Sequence, residues 1–124
     1  MRTWKKDEEM KPWIGVDLDR TLAVYDSWKG LEHIGEVVEP MKKRVLHWFE
    51  NGWDIRIVTA RVSNRSDEDI AYIEAAIHKW MFENGMPKLP ITCVKDYGMV
   101  ELWDDRAVAV QANTGLQLSP SKVT

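Results

Sequence analysis

Two compact groups of aspartates, each at the end of an apolar run, lie far apart along the chain. Asp17 and Asp19 are separated by one residue, and Asp104 and Asp105 are adjacent. Carboxylates held close together at neutral pH repel one another, and a divalent cation removes that cost. Because the ligands are all oxygens, the favoured cation is Mg²⁺. A carboxylate in such a site can attack phosphorus, and a second one two residues on can transfer the protons.

A hydroxyl and an ammonium group stand at two further places. Thr59 ends one apolar run, and Lys95 directly follows another. Beside a bound cation, both side chains would attract a phosphate group. Each feature alone is also typical of a solvated turn, a helix cap or a surface lysine. The combination of all of them points to phosphate chemistry.

The elements that must position these residues alternate along the chain. Apolar runs typical of strands occupy residues 13–18, 54–59, 91–94 and 99–103. Helical patterns follow the first two runs, the first starting at Pro40 and the second at Ser66, with Asp69 as its capping partner. In the first helix, four apolar residues share one face: Met41, Val45, Trp48 and Phe49. This order predicts an α/β fold, a three-layer Rossmann-like domain with a mostly parallel central sheet. Such sheets bind ligands at the carboxyl ends of their strands, where every candidate residue falls.

One connection does not fit this pattern. Only four residues, 95–98, separate the third and fourth strands. Parallel neighbours in one sheet normally need a crossover of a dozen or more residues. We therefore expect either an irregular edge segment at 91–94 or the loss of a crossover helix.

Length and composition narrow the classes of protein further. The 124 residues predict a single domain, with a lead-in at 1–12, a flap at 20–39 and a tail at 112–124. A net charge of −3 disfavours tight sequence-blind binding to nucleic acid. We expect no membrane partner and a cytoplasmic location, because no apolar stretch is long enough to span a bilayer and the first residues lack the apolar core of a signal peptide. The single Cys93 excludes an internal disulfide.

Four short motifs, in this order, resemble those of the haloacid dehalogenase superfamily of phosphatases and phosphotransferases. They are Val16-Asp-Leu-Asp-Arg-Thr-Leu22, Ile55-Arg-Ile-Val-Thr59, Lys95 and Leu102-Trp-Asp-Asp105. The resemblance extends from about residue 13 to residue 110. It implies that Asp17 is the nucleophile, that Asp19 is the general acid and base, and that Thr59 and Lys95 bind the transferring phosphoryl group.

The resemblance also implies a Mg²⁺ site and substrate contacts. The implied metal ligands are Asp17, Asp19 through its backbone carbonyl, Asp104 and Asp105. The implied substrate-binding residues are Leu18, Ala60 and Arg61, although Arg61 could instead form a salt bridge. Arg20 stands where many members of the superfamily have glycine. Its side chain could contact the substrate or project into solvent, and we favour solvent.

Neither segment that could hold an inserted cap is long enough for a folded domain, so the chain resembles a capless member. An open site requires either a substrate large enough to cover it or a second subunit of a homo-oligomer that supplies a lid. Tyr25 and Trp28 in the flap could stack on a base or sugar ring, or simply hold the flap to the domain.

The resemblance implies a Mg²⁺-dependent phosphomonoester hydrolase that forms an aspartyl-phosphate on Asp17, with a phosphorylated small molecule or nucleotide as substrate. One alternative with the same chemistry is a phosphatase acting on the 3′ end of a polynucleotide. Another class is a receiver-like phosphoacceptor domain, which the order of the acidic motifs disfavours because the paired acids come last. A third possibility is a catalytically silent module that binds phosphate.

Overall fold

The structure, a computed structural model, describes residues 11–123 as one sheet with two α-helices. The strands are β1 (Trp13–Asp17), β2 (Asp54–Val58), β3 (Ile91–Thr92) and β4 (Met99–Trp103). The helices are α1 (Glu39–Glu50) and α2 (Asp67–Glu83), and a short 3-10 helix, Ala60–Val62, follows β2. Residues 1–10 of the predicted lead-in, and residue 124 of the predicted tail, lie outside the described part.

Local signals in the sequence fix both helix boundaries. Pro40 lies in the first turn of α1, where its missing N–H costs nothing. Gly52 follows α1 with a φ of 85°, a left-handed conformation that glycine adopts without strain. At the start of α2, the Ser66 hydroxyl accepts a hydrogen bond from the backbone N–H of Asp69 at 3.1 Å. The predicted starts of both helices are confirmed.

All four strands are parallel, in the order β3-β2-β1-β4. The α/β fold with a parallel sheet is therefore confirmed. In the register of the central pair, Asp17 at the end of β1 lies opposite Val58 at the end of β2. The carboxyl ends of β1, β2 and β4 consequently lie at one edge of the sheet, and the polar residues that follow them converge there.

One face of the sheet carries the core. Side chains of Ile14, Val16, Ile55 and Ile57 join a single buried cluster with residues from both helices: Met41, Val45, Ile73, Ile77, Trp80 and Met81. Both helices therefore lie on the same face. The described residues form no helix on the opposite face, so the predicted third layer is not made by a helix between residues 11 and 123.

The segment at 93–98 occupies part of that opposite face. Because β3 and β4 are at opposite edges, the chain crosses about three strand spacings, roughly 14 Å, which six nearly extended residues can span. The Asp96 carboxylate accepts hydrogen bonds from Trp13 Nε1 at 2.8 Å and Arg56 Nη1 at 3.1 Å. Arg56 also stacks over the Trp13 ring at 4.3 Å. The expected short connection is thus explained by a two-residue edge strand and an extended crossing.

Two irregular segments complete the chain. The flap is narrow, since its two arms pair through Val24 N–H to the Glu36 carbonyl at 2.8 Å and Val38 N–H to the Leu22 carbonyl at 2.7 Å. At the other end, residues 109–118 form a small hairpin, closed by a bridge between Val110 and Gln117. Neither described helix combines the length and apolar character needed to cross a bilayer.

Candidate active site

Three carboxylates meet at the carboxyl edge of the sheet. Asp17 ends β1, and Asp104 and Asp105 directly follow β4, the neighbour of β1. Each offers one oxygen, and these oxygens all lie within 4.8 Å of one another. The hydroxyl of Thr21 donates a hydrogen bond to Oδ2 of Asp17 at 3.2 Å. The structure therefore brings together three of the four predicted metal-binding aspartates by their side chains.

This cluster is electrostatically unfavourable without a cation. Burial, the charge of Asp104 and the neighbouring Asp105 raise the pKa of Asp17 to about 7, against a smaller opposing effect of the Thr21 hydrogen bond. Oδ1 of Asp105 is buried, and no group in the described residues donates a hydrogen bond to it. A buried oxygen without a donor beside two further carboxylates fits a hard divalent cation, which would satisfy the oxygen and offset the repulsion.

Asp19 lies outside this cluster because Arg61 holds its side chain. Nε of Arg61 donates to Oδ2 of Asp19 at 2.9 Å, and Nη2 donates to Oδ1 at 2.8 Å. The third guanidinium nitrogen, Nη1, donates to the carbonyls of Leu31 and His33 in the flap at 3.2 and 2.9 Å. With both carboxylate oxygens bound to Arg61, the backbone carbonyl is the atom of Asp19 that stays a predicted metal ligand.

Thr59 links the end of β2 to the same site. Its oxygen caps the 3-10 helix by accepting a hydrogen bond from the backbone N–H of Arg61 at 3.2 Å. The residue is buried, yet it lines the cavity described below. Within the described residues its hydroxyl donates no hydrogen bond, so the proton is available to an oxygen of a bound phosphate.

An open cavity of about 530 Å³ lies over these residues. Its lining includes Asp17, Asp19 and Asp104 from segments at the ends of β1 and β4, and Thr59 and Ala60 from the end of β2. The flap contributes one arginine and two aromatic side chains to the lining. This volume exceeds what a phosphate ion needs and leaves room for the group that carries the phosphate.

Two predicted site residues lie elsewhere. The side chain of Leu18 is fully buried in the core, so only its backbone could contact a substrate. Lys95 is exposed on the crossing segment and does not line the cavity. The chain that follows β3 lines the cavity at Cys93 and then crosses the face of the sheet that carries no helix, and Lys95 lies on that crossing.

Sequence reasoning missed several residues of the cavity. Arg65 and Arg106 line the cavity although they had no predicted role, and Arg20, which is exposed as expected, lines it as well. Arg106 directly follows the paired acids, and that adjacency to a motif was the only available signal. Tyr25 and Trp28 also line the cavity, as the stacking interpretation of the flap requires.

The described site combines a three-carboxylate cluster, an ion-paired aspartate, a buried hydroxyl and a cavity above them. The haloacid dehalogenase resemblance rests on four short motifs, and the segments that carry Asp17, Thr59 and Asp104 lie together at this edge of the sheet. Comparisons of the chain with protein-family models, with curated proteins and with solved structures found no match.

Proposed function

We propose that this protein is a Mg²⁺-dependent phosphomonoester hydrolase of the haloacid dehalogenase type, with Asp17 as its nucleophile. The observation that carries the proposal is the cluster of Asp17, Asp104 and Asp105 beneath the cavity, with one buried Asp105 oxygen lacking a donor. Repulsion in an acidic cluster of this kind is relieved when a cation binds, and the cavity above it admits a phosphate ester.

The proposed reaction has two displacement steps at phosphorus. First, an Asp17 carboxylate oxygen forms a bond to phosphorus, and the bond from phosphorus to the ester oxygen breaks, while Asp19 gives its proton to the leaving oxygen. Water then forms a bond to phosphorus, the bond to Asp17 breaks, and Asp19 takes the proton. The products are an alcohol and inorganic phosphate, and Asp17 is regenerated.

Asp19 cannot act in this way while both of its oxygens are bound to Arg61. One oxygen must exchange a guanidinium contact for the leaving group. We propose that the Arg61 contact orients Asp19 between the two steps and that substrate entry releases one of the two hydrogen bonds. The hydroxyl of Thr59 would hold an oxygen of the phosphoryl group.

Mg²⁺ would neutralise the carboxylates and the charge that develops on the phosphoryl group. The residues that would hold it are Asp17, Asp104 and Asp105 through carboxylates, and Asp19 through its carbonyl. The predicted role of Lys95 has no support from its exposed position on the crossing segment.

The decisive experiment measures turnover of p-nitrophenyl phosphate with Mg²⁺ and with chelator, for the natural chain and for Asp17→Asn. We expect Mg²⁺-dependent turnover that Asp17→Asn reduces by at least a thousandfold. Asp54→Asn is the matched control, because Asp54 is an exposed aspartate at the start of β2, at the opposite end of the strands from Asp17. Equal turnover by the Asp17→Asn variant would exclude Asp17 as the nucleophile.

A second measurement separates an enzyme from a silent module. Beryllium fluoride in the presence of Mg²⁺ mimics a phosphoryl group on an aspartate. We expect it to bind the natural chain and to fail with Asp17→Asn. Binding without turnover of any phosphomonoester would favour the silent phosphate-binding module and would contradict the proposed hydrolase.

A further inference from the structure

Arginine is concentrated in the cavity. Four of the seven arginines of the chain line it, whereas none of the lysines between residues 11 and 123 does. Arginine presents a planar fork of donors that matches two phosphate oxygens at once, and lysine presents a point charge. In a chain with a net charge of −3, this enrichment marks a local anion-binding surface.

Three of these arginines lack an acidic partner. Arg61 is fully engaged with Asp19 and the flap carbonyls, as described above. Arg65 donates through Nε to the carbonyl of Arg61 at 2.7 Å, which leaves its terminal nitrogens unused by any acid. Within residues 11–123, no carboxylate forms an ion pair with Arg20, Arg65 or Arg106. These three cations are available to a ligand.

The backbone at Arg20 supports a role for its side chain. Arg20 has a φ of 71°, a left-handed conformation that costs a residue with a Cβ about 1 kcal/mol and that glycine adopts freely. Its guanidinium lies 4.9 Å from the centre of the Tyr25 ring, at the cavity rim. An arginine therefore stands where glycine would be more stable, with its charge directed to the cavity.

The flap also contributes aromatic side chains to the cavity lining. Trp28 lines the cavity and is about half exposed, and its ring lies 5.5 Å from the guanidinium of Arg61, which holds it in place. Exposed aromatic rings beside arginines are the usual platform for stacking nucleic-acid bases. The volume of about 530 Å³ accommodates a nucleoside as well as the reacting phosphate.

We propose that the substrate is a nucleoside phosphate that carries a second phosphate group, and that Arg20, Arg65 and Arg106 bind that second group while Trp28 stacks on the base. This inference rests on the proposed function, because the scissile phosphate occupies the site over Asp17. The same chemistry occurs in free nucleoside bisphosphates and at the phosphorylated end of an oligonucleotide, so the substrates tested must include both.

The test compares kcat/KM for three substrates that share one scissile ester: adenosine 3′-monophosphate, adenosine 3′,5′-bisphosphate and a trinucleotide with a 3′-phosphate. A charge-assisted contact to the second phosphate is expected to raise kcat/KM about 10- to 100-fold over the monophosphate. Whichever of the bisphosphate and the trinucleotide gives the larger increase in kcat/KM identifies the source of the second phosphate. Equal values for all three substrates would overturn the inference and leave the hydrolase intact.

Two variants assign the effect to the arginines. Arg20→Gly removes a side chain and relieves the positive φ, so it is expected to fold at least as well as the natural chain. Arg106→Gln keeps the backbone N–H that donates to Asp104 at 2.7 Å. Each is expected to lower the bisphosphate-to-monophosphate ratio of kcat/KM about tenfold. Lys43→Gln, an exposed charge on α1, is the control and should leave the ratio unchanged. An unchanged ratio in both arginine variants would contradict the proposal.

A binding measurement separates failure of this inference from failure of the proposed hydrolase. Cys93 is exposed and lines the cavity, so the rate of its alkylation reports occupancy without turnover. In Asp17→Asn, adenosine 3′,5′-bisphosphate is expected to slow alkylation at concentrations about tenfold lower than the monophosphate. Protection without turnover of any substrate by the natural chain would support the ligand class and reject the hydrolase. Equal protection by both ligands would reject the ligand class.

Discussion

Arg61, which is almost fully buried, donates two parallel hydrogen bonds to Asp19, from Nε to Oδ2 at 2.9 Å and from Nη2 to Oδ1 at 2.8 Å. The same guanidinium holds the flap through the carbonyls of Leu31 and His33. Arg61 thus fixes both Asp19, which is the proposed acid and base, and the flap. Order in the flap and orientation of Asp19 are expected to change together.

Replacement of Arg61 should therefore cost stability and loosen the flap. Arg61→Gln leaves Asp19 without its buried cation, and Arg61→Lys keeps the charge but loses the fork. We expect Arg61→Gln to lower the free energy of unfolding by about 3 kcal/mol, as loss of one partner of a buried ion pair does, and Arg61→Lys to lower it by less, because the charge stays. Urea unfolding and limited proteolysis within residues 20–39 check this expectation. Arg44→Lys, on the exposed side of α1, is the control. Equal stability of the natural chain, both Arg61 variants and the control would contradict the expected loss of stability.

Binding of Mg²⁺ should depend on pH through Asp17. Because the pKa of Asp17 is raised to about 7 without a cation, the side chain carries a proton below that pH, and Mg²⁺ must displace it. The apparent affinity is expected to rise from pH 5.5 to about 7.5 and then to level off. Calorimetry in buffers of different ionisation enthalpy should detect proton release at pH 6 that is absent at pH 8.5. A constant affinity over this range would contradict the expectation.

The same pKa predicts how the metal-free protein responds to pH. An aspartate whose pKa is higher in the folded than in the unfolded chain destabilises the fold progressively as pH rises from about 4 to about 7. Asp17→Asn removes that effect, so the variant is expected to be more stable than the natural chain at pH 7.5 in chelator. Thermal unfolding measures the difference. Addition of Mg²⁺ should stabilise the natural chain and leave the variant nearly unchanged, whereas the reverse order would argue against a cation at this cluster.

Much of the fold follows from local signals in the sequence. Ser66 specifies a helix start because its hydroxyl accepts a backbone hydrogen bond, and Pro40 does so because its fixed φ suits the first helical turn. Both are found where predicted. Phe49 was predicted to share the buried face of α1 but is half exposed. It lies about 80° around the helix from Met41, at the margin of the apolar stripe, where a small rotation decides burial.

The cavity could be predicted only in part. Asp17, Thr59 and Asp104 converge because parallel strands end at one edge, which follows from the alternation of elements alone. The position of Lys95 depends on which edge β3 occupies, and no local pattern encodes that choice. Arg65 likewise reaches the cavity through a loop whose path depends on tertiary contacts, such as its hydrogen bond to the Arg61 carbonyl.

Thr59 is expected to serve both stability and turnover, and two substitutions separate these effects. Thr59→Val loses the cap of the 3-10 helix, at about 1 kcal/mol of unfolding free energy, and the phosphate donor, at about 100-fold in kcat. Thr59→Ser retains the hydroxyl and should stay within a few fold of the natural chain in both. Urea unfolding and steady-state kinetics with p-nitrophenyl phosphate measure the two quantities. A normal kcat of the Thr59→Val variant would mean that the hydroxyl only caps the 3-10 helix and does not bind the phosphate.

The crossing segment makes the last prediction. Hydrogen bonds from Trp13, from the backbone N–H of Gly98 and from Arg56 hold the pKa of Asp96 below its usual range. A carboxyl with a lowered pKa stabilises the fold above its unfolded value of 3.8, and that stabilisation is lost as pH falls through the folded value. Asp96→Ala should therefore lower the melting temperature at pH 7, and its deficit should shrink below pH 4.

Asp26→Ala is the matched control for this comparison, because Asp26 also has a lowered pKa but contacts only the nearby Ser27 and Lys29 on the exposed flap. Its melting temperature should stay close to that of the natural chain at both pH values. Because Asp96 joins β1 and β2 across the face without a helix, its loss should also speed hydrogen exchange in β4, which follows the crossing directly. Unchanged exchange in β4 would mean that the crossing segment does not hold the edge strand in place.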